Sequence, residues 1–333
     1  MRVLYAIQGT GNGHLSRARD VIPALLAQGI TLDILVSGTQ ADIQLPYPIA
    51  YQLKGLSFIF GKKGGVDMWK TYVRANTRRL QNEIKSVPVQ DYDLVINDFE
   101  PVTAWACQRV EKPCFSFSHQ AAVLNKNAPQ PKKTDSLGKL ILKKYAPTTH
   151  HFGLHFKAYD AGIFTPIIRN DIRSIPCNKQ PHYTVYLPSY SDGKILKFLG
   201  EIPDVPWEIF SKHNKKESHF KNMRIRPIDN SAFVHSLANS TGVLCGAGFE
   251  TPAEALFLQK KLMVIPMKGQ YEQQCNAAAL QQMKVPVLKS LKKKHVDKVL
   301  DWVETDALVE VDYPDMTHHI VQQILERAKN LGA

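Results

Sequence analysis

Apolar residues along this chain alternate between unbroken runs and helically spaced sets. Val3 to Ile7 is a compact run; beyond Gly9, Gly11 and Gly13, the residues Leu15, Ala18, Ile22, Leu25 and Leu26 recur at helical spacing until Gly29. This predicts a strand, a glycine turn and a helix, with Pro23 expected to kink the helix or shift its first turn. Thr31 to Val36, Asp93 to Asn97 and Cys114 to Ser118 are further strand-like runs, the last two flanking a helix around Ala104-Trp105-Ala106. Later come Tyr183 to Leu187, Met223 to Ile225, Gly242 to Cys245 and Leu262 to Pro266, with helices from about Thr251, from about Glu272 and over about Met316 to Lys329. Continuous apolar strands separated by helices imply an α/β architecture with parallel sheets covered on both faces.

At 333 residues the chain exceeds one ordinary core and suits two domains of about 150 residues each. The stretch from Thr165 to Gln180 is punctuated by prolines and precedes a fresh strand signal. It therefore divides a domain over 1–165 from one over 181–314, with a linker over 166–180. Residues 315–333 are expected to form a C-terminal helix that packs back toward the first domain.

Hydrophobic residues at 44% and charged residues at 22% exclude a disordered or fibrous chain. The five cysteines, Cys107, Cys114, Cys177, Cys245 and Cys275, are odd in number and form no C-x-x-C pair. That argues against structural zinc or a disulfide framework and for a reduced, cytoplasmic protein. No run approaches the ~18 apolar residues that a bilayer span needs. The net charge of +12 points to an anionic partner: nucleic acid, a membrane surface or a phosphorylated substrate.

Two glycine turns carry candidate chemistry. The first, Gly9-Thr-Gly11-Asn-Gly13-His14, joins a strand to a helix, where backbone amides can approach an anion. A dinucleotide fingerprint fails, since His14 stands where its last glycine belongs, and a Walker loop fails for want of Gly-Lys-Ser/Thr. His14 would stand at the C-terminal edge of the sheet with an imidazole that titrates near neutrality. The second turn is denser: Gly246-Ala-Gly248-Phe-Glu250-Thr-Pro-Ala-Glu254, then Val264-Ile-Pro266, then Gln270-Tyr-Glu272-Gln273-Gln274-Cys-Asn276. There a helix is expected to open with Thr251 as cap and Pro252 at its first position, presenting a positive terminus to phosphate. Glu254, in the first turn, either reaches ribose hydroxyls or compensates the helix dipole.

Taken together, the strand-GxGxGH opening and GAGFETPAEAL…VIP…GQYEQQCNA resemble a GT-B glycosyltransferase of the UDP-sugar-dependent type. The likeness is to the peptidoglycan lipid-intermediate N-acetylglucosaminyltransferases, the galactolipid synthases and related bacterial and archaeal enzymes. It is motif-grade over residues 1–36, 93–119 and 224–280. The departures are Gln259 where relatives usually have Gly and Lys261 where Pro is common. The resemblance implies two Rossmann-like domains with parallel sheets facing across a cleft, and a hexosyl transfer that inverts the anomeric centre without a metal or other cofactor.

By the same resemblance, donor contacts fall to Gly11, Gly13, Ile228, Asp229, Gly246, Ala247, Gly248, Phe249, Glu250, Thr251, Glu254, Gln270, Glu272, Gln273 and Gln274. Within that set, Gly246 to Gly248 would offer amides to the diphosphate and Glu254 would bind the ribose. Ile228 and Asp229 would meet the base, and Gln273 or Gln274 the sugar hydroxyls. His14 would be the general base, with Asp98, Glu100 and His119 as rivals or partners. An alternative for Asp98 is helix capping, and for His119 the satisfaction of a buried turn.

The charge is unevenly spread: 20 Lys and Arg against 12 Asp and Glu in residues 1–165, but 22 against 18 in 166–333. Lys62 and Lys63 lie in a basic loop, and Lys70, Arg74 and Arg78 recur at i, i+4, i+8 on one helical face. SLGKLILKKY, over 136–145, mixes apolar and basic residues as an interfacial helix would. In the family the N-terminal domain usually binds the acceptor. These segments are therefore expected to meet a lipid-linked or anionic glycan acceptor, or an anionic leaflet on the cytoplasmic side in cell-envelope glycan or glycolipid synthesis. The other readings are a solvated surface, a UDP-sugar epimerase on the same layout and a nucleic-acid-binding protein. The last is disfavoured because aromatic-basic interleaving is absent.

Overall fold

A computed structural model describes residues 1–38, 45–56, 77–133 and 135–332. The N-terminal half contains β1 (Arg2–Gln8), α1 (Asn12–Leu26), β2 (Thr31–Ser37), β3 (Tyr51–Leu53), α2 (Thr77–Ser86), β4 (Leu94–Asp98) and α3 (Pro101–Arg109). It continues through β5 (Cys114–Ser118), α4 (His119–Val123), α5 (Ser136–Tyr145), β6 (His150–Leu154) and β7 (Ile163–Phe164). These strands form one sheet in the order β3-β2-β1-β4-β5-β6-β7, every pairing parallel. The order reverses beside β1, so the C-terminal ends of β1 and β4 flank a crevice, the place where open α/β sheets bind ligands.

A short helix α6 (Asn170–Arg173) leads into the second half. There follow β8 (Tyr183–Tyr186), α7 (Asp192–Leu199), β9 (Trp207–Ser211), β10 (Ser218–Phe220), β11 (Met223–Pro227) and α8 (Asn230–Asn239). The half closes with β12 (Gly242–Gly246), α9 (Glu250–Phe257), β13 (Lys261–Ile265), α10 (Tyr271–Gln282), α11 (Val296–Glu304) and α12 (Thr317–Lys329). Its sheet runs β10-β11-β9-β8-β12-β13, parallel throughout except for the edge pair β10-β11. Two sheets of this kind, each a Rossmann-like layer, make the GT-B fold.

The predicted strands sit within a residue or two of the observed ones. Helix α1 runs through Pro23 to Leu26 without ending at the proline. The last helix packs on the first: Ile320, Val321, Ile324 and Leu325 of α12 share one buried apolar cluster with Ala18, Val21, Ile22 and Leu25 of α1. Each of the Val, Leu and Ile side chains contributes about 1.5–3 kcal/mol by leaving water.

One correction concerns the second glycine turn. Helix α9 starts at Glu250, its N-cap is Phe249, and no side chain caps it. Thr251 is therefore inside the helix, and the acid of the first turn is Glu250 in place of Glu254. The C-terminal end of α9 explains the Gln259 departure: Gln259 adopts φ 53°, the left-handed conformation in which glycine is the usual residue. Its N–H donates to Leu256 and that of Lys260 to Ala255, the two hydrogen bonds that close a helix end of this type.

Candidate active site

The parallel register brings the chemistry to one edge. Ile7 of β1 is level with Asp98 of β4, and β5 ends beside them at Ser118, immediately before His119. Gly9 passes so close to β2 that a Cβ there would stand 3.0 Å from Val36 and 3.1 Å from two backbone oxygens, so a side chain at this position would have to push the start of the turn away from β2. Helix α1 then carries His14 and Arg17 on one face, three residues apart.

Asp98 is fully buried and holds both. His14 Nδ1 lies 2.8 Å from its Oδ1, and Arg17 Nη2 donates to both carboxylate oxygens at 2.7 and 2.8 Å. Burial alone would push the Asp98 carboxyl up, but Arg17 and His14 outweigh it and hold the group below the ordinary range. An ionised carboxylate only accepts, so in a neutral His14 ring the proton sits on Nδ1 and Nε2 is the accepting nitrogen. The turn between β4 and α3 is tight, with Phe99 at φ 57°, and the Phe99 ring stacks on Tyr145 at 4.8 Å.

The rivals of His14 are placed differently. Glu100 is fully buried as the cap of α3, accepting from the amides of Val102 and Thr103 and from Ser37 Oγ. It, and not Asp98, is the capping residue; burial raises its carboxyl while those donors oppose the rise. His119 is 1% exposed, with Nδ1 2.7 Å from the Leu154 carbonyl, Nε2 2.7 Å from Asn276 Oδ1 and its ring stacked on Phe249 at 3.9 Å. Burial pushes its pKa down. Its two nitrogens face one oxygen from each half, of which a neutral ring can donate to one, so it joins the halves while its ring borders the cavity between them.

A cavity of about 280 Å³ opens between the two glycine turns. Gly11, Gly13, His14 and Arg17 line one wall; Phe249, Glu250, Gln270, Glu272 and Gln273 line the other; Phe99, Leu142 and Tyr145 close one side. Glu250 pairs with Arg17 across the gap. Glu272 accepts from Gln120 at 3.1 Å, a second link between the walls.

Of the other expected donor residues, Gln273 lines the cavity, and its Oε1 accepts from the Met267 amide. Gln274 braces the same loop through the Met267 carbonyl and does not line the cavity. Gly246 ends β12; Ala247 is buried, its carbonyl accepting from Asn276; a Cβ on Gly248 would meet nothing within 4 Å. Glu254 is buried, its Oε1 accepting from Arg169 Nε at 2.6 Å, and it stands outside the cavity lining, as do Gly246, Ala247, Gly248, Thr251, Ile228 and Asp229. Asp229 caps α8 through the Ala232 amide. Lys62, Lys63, Lys70 and Arg74 lie outside the described residues, and Arg78 is exposed on α2.

Sequence reasoning missed Arg17 and Arg169. The signal for Arg17 was present: a charged residue amid Leu15, Ala18, Val21 and Ile22 on the buried face of an amphipathic helix, three positions after His14. Nothing in the sequence paired Arg169 with Glu254, which are 85 residues apart.

The chain matches the family model described as glycosyl transferase family 1 over residues 1–304. Among solved structures it is similar to SsfS6 from Streptomyces sp. SF2575 in complex with thymidine diphosphate, at 12% identity over 99% of this chain and 96% of that one, with a TM-score of 0.60. It is also similar to MurG of Acinetobacter baumannii, at 13% identity over 98% and 99% of the two chains, with a TM-score of 0.57. For Arabidopsis thaliana UGT89C1 in complex with UDP the figures are 13%, 98% and 94%, and 0.57. No curated protein matches. Both sheets, the cleft between them and the match across most of its length place this chain in glycosyl transferase family 1, as a glycosyltransferase of GT-B fold.

Proposed function

We propose that the protein moves a sugar from a UDP-sugar to the hydroxyl of a lipid-linked or polyanionic acceptor, inverting the anomeric centre, with His14 as general base. The observation that carries this reading is His14, backed by the buried Asp98, lining a cavity whose opposite wall is the N-terminus of α9. Asp98 fixes the proton on Nδ1, so Nε2 can take the acceptor proton and the resulting imidazolium faces a carboxylate. Leaving-group charge would be met by amides near Gly248 and by the helix terminus, a role that asks for no metal ion. The donor class is supported by the nucleoside diphosphates bound to SsfS6 and UGT89C1. Glu254, its carboxylate fixed by Arg169 through Oε1, would accept the ribose hydroxyls through its other oxygen.

The acceptor side is proposed from α5. Leu142 and Tyr145 face the cavity, while Leu137 and Leu140 are 63% and 52% exposed beside Lys139, Lys143 and Lys144. A helix with one face on the site and an apolar, basic face outward suits an anionic leaflet, where each lysine contributes about 1 kcal/mol. Among the described residues no helix is long and apolar enough to cross a membrane.

A melting-temperature screen against nucleotide sugars tests the donor. A ligand at 100 times its dissociation constant stabilises by about 2.7 kcal/mol, and absence of any shift with uridine compounds removes the UDP-sugar. Product formation without acceptor would indicate an epimerase. Flotation with phosphatidylglycerol vesicles tests α5: Leu137→Glu with Leu140→Glu should abolish binding, and wild type that stays unbound at low salt refutes the membrane reading.

A further inference from the structure

Arg17 and Glu250 meet across the cavity in a way that the donor reading leaves unexplained. Arg17 is 2% exposed; its Nη2 is held by Asp98, its Nη1 donates to Glu250 Oε1, and its Nε is buried with no acceptor among the described residues. Glu250 is the first residue of α9, its Cγ only 3.0 Å from the place where a Cβ on Gly13 would stand. A carboxylate of the protein thus fills the space where a buried guanidinium, a helix N-terminus and two glycine turns converge. Those groups are the ones that recognise a diphosphate.

We propose that Arg17 is a donor-binding residue that exchanges the Glu250 carboxylate for an oxygen of the donor's diphosphate, Glu250 being a built-in occupant of the anion site that swings out or takes up a proton when the nucleotide arrives. This rests on the nucleotide-sugar reading above. Nη2 keeps Asp98 and so keeps His14 oriented, while Nη1 changes partner. Donor arrival is thereby coupled to the bridge between the two halves, because Arg17 belongs to the first half and Glu250 to the second.

The exchange has a pH signature. Glu250 is faced by Arg17 and His14 from α1, Asp98 from β4, Tyr5 from β1, Arg169 from the segment before α6 and Glu254 on its own helix. Burial, opposed by Arg17 and reinforced by Glu254, pushes its carboxyl up to about 7. A diphosphate disfavours the ionised form further, so binding selects protonated Glu250. UDP affinity should then be highest below that value and weaken by about tenfold per pH unit above it.

Calorimetric titration of UDP into wild type, Glu250→Gln and Glu250→Ala, from about pH 6 to 8.5 in buffers of different ionisation enthalpy, tests this. UDP's own ionisation is common to all titrations, so the difference between proteins reports Glu250. Glu250→Gln should bind UDP about tenfold more tightly than wild type at pH 8 and equally near pH 6, taking up fewer protons. Arg17→Lys should weaken UDP binding about tenfold in either background; melting curves of each variant verify the fold. Equal affinity and proton count for wild type and both Glu250 variants, or weaker binding by both at every pH, would overturn the proposal, as would unchanged affinity in Arg17→Lys. If wild type binds no UDP at all, the nucleotide reading itself fails, which is a different result from a pH-independent difference.

Discussion

In the N-terminal half the crossing from β1 to α1 is backed by buried ionisable side chains, with Asp98, Arg17 and Glu100 all at 2% exposure or less. The crossing from β12 to α9 in the C-terminal half has the same strand, glycine turn and helix, and both helices begin without a side-chain cap, Gly11 and Gly248 each facing open space. In the first crossing Gly9 and Gly13 allow close approach to β2 and to Glu250; in the second the Ala247 amide is tied to the Ile265 carbonyl and the first helical turn sends Glu250 across to Arg17. One wall thus supplies the histidine, its carboxylate and the buried guanidinium, the other a helix N-terminus whose own carboxylate meets that guanidinium. A parallel sheet edge supplies the same scaffold to both, and the side chains behind the turn decide which chemistry it serves.

Removal of His14 is the strongest way to break this division. His14→Ala should lower kcat by about a thousandfold, within the range for loss of a general base, or about 4 kcal/mol of barrier, while UDP affinity changes little. Steady-state kinetics beside UDP titration provide the two readouts. Turnover that survives the substitution would move proton transfer out of the N-terminal wall, and equal loss of UDP binding would mean that the two walls do not divide the work.

Next in size is Glu254→Ala. The Arg169–Glu254 pair is buried, and removal of one partner from such a pair costs about 3 kcal/mol because the arginine loses its buried counter-ion and keeps only the exposed Asp171 carboxylate. Chemical denaturation should show that loss, and Glu254→Ala with Arg169→Met should recover most of it. UDP affinity should fall in the single variant as well. If stability drops while affinity holds, Glu254 belongs to the frame between the halves and has no part in the donor wall.

Much of this arrangement was legible in the chain. Apolar runs gave the strands because parallel strands are buried on both faces, and both glycine turns stand where the pattern put them. Arg17 was readable only as an anomaly on an apolar helix face, and the roles of Asp98, Glu100 and His119 depended on which strand lies beside which. Asp98 and Glu100, two positions apart, end up in different tasks across Phe99, which takes a left-handed conformation that no local propensity announces. Long-range partners such as Arg17 with Glu250 or Arg169 with Glu254, separated by 233 and 85 residues, follow from the meeting of two domains. Periodicity along one chain carries no information on that.

The smallest effect separates the frame of the C-terminal crossing from its chemistry. Gln259 holds φ 53° at the end of α9, where a side chain costs about 1 kcal/mol relative to glycine. Gln259→Gly removes that strain but leaves the two closing hydrogen bonds, Gln259 to Leu256 and Lys260 to Ala255, in place. It should raise the melting temperature by about 2 °C, as 1 kcal/mol does in a chain of this size, with kcat and UDP affinity unchanged because the far end of the helix, at Glu250, does not move. A lower melting temperature would show that the extra freedom of glycine in the unfolded chain outweighs the relieved strain. A changed UDP affinity would show that the two ends of α9 are coupled, and that the anion site at Glu250 depends on how its helix is finished as well as on how it begins.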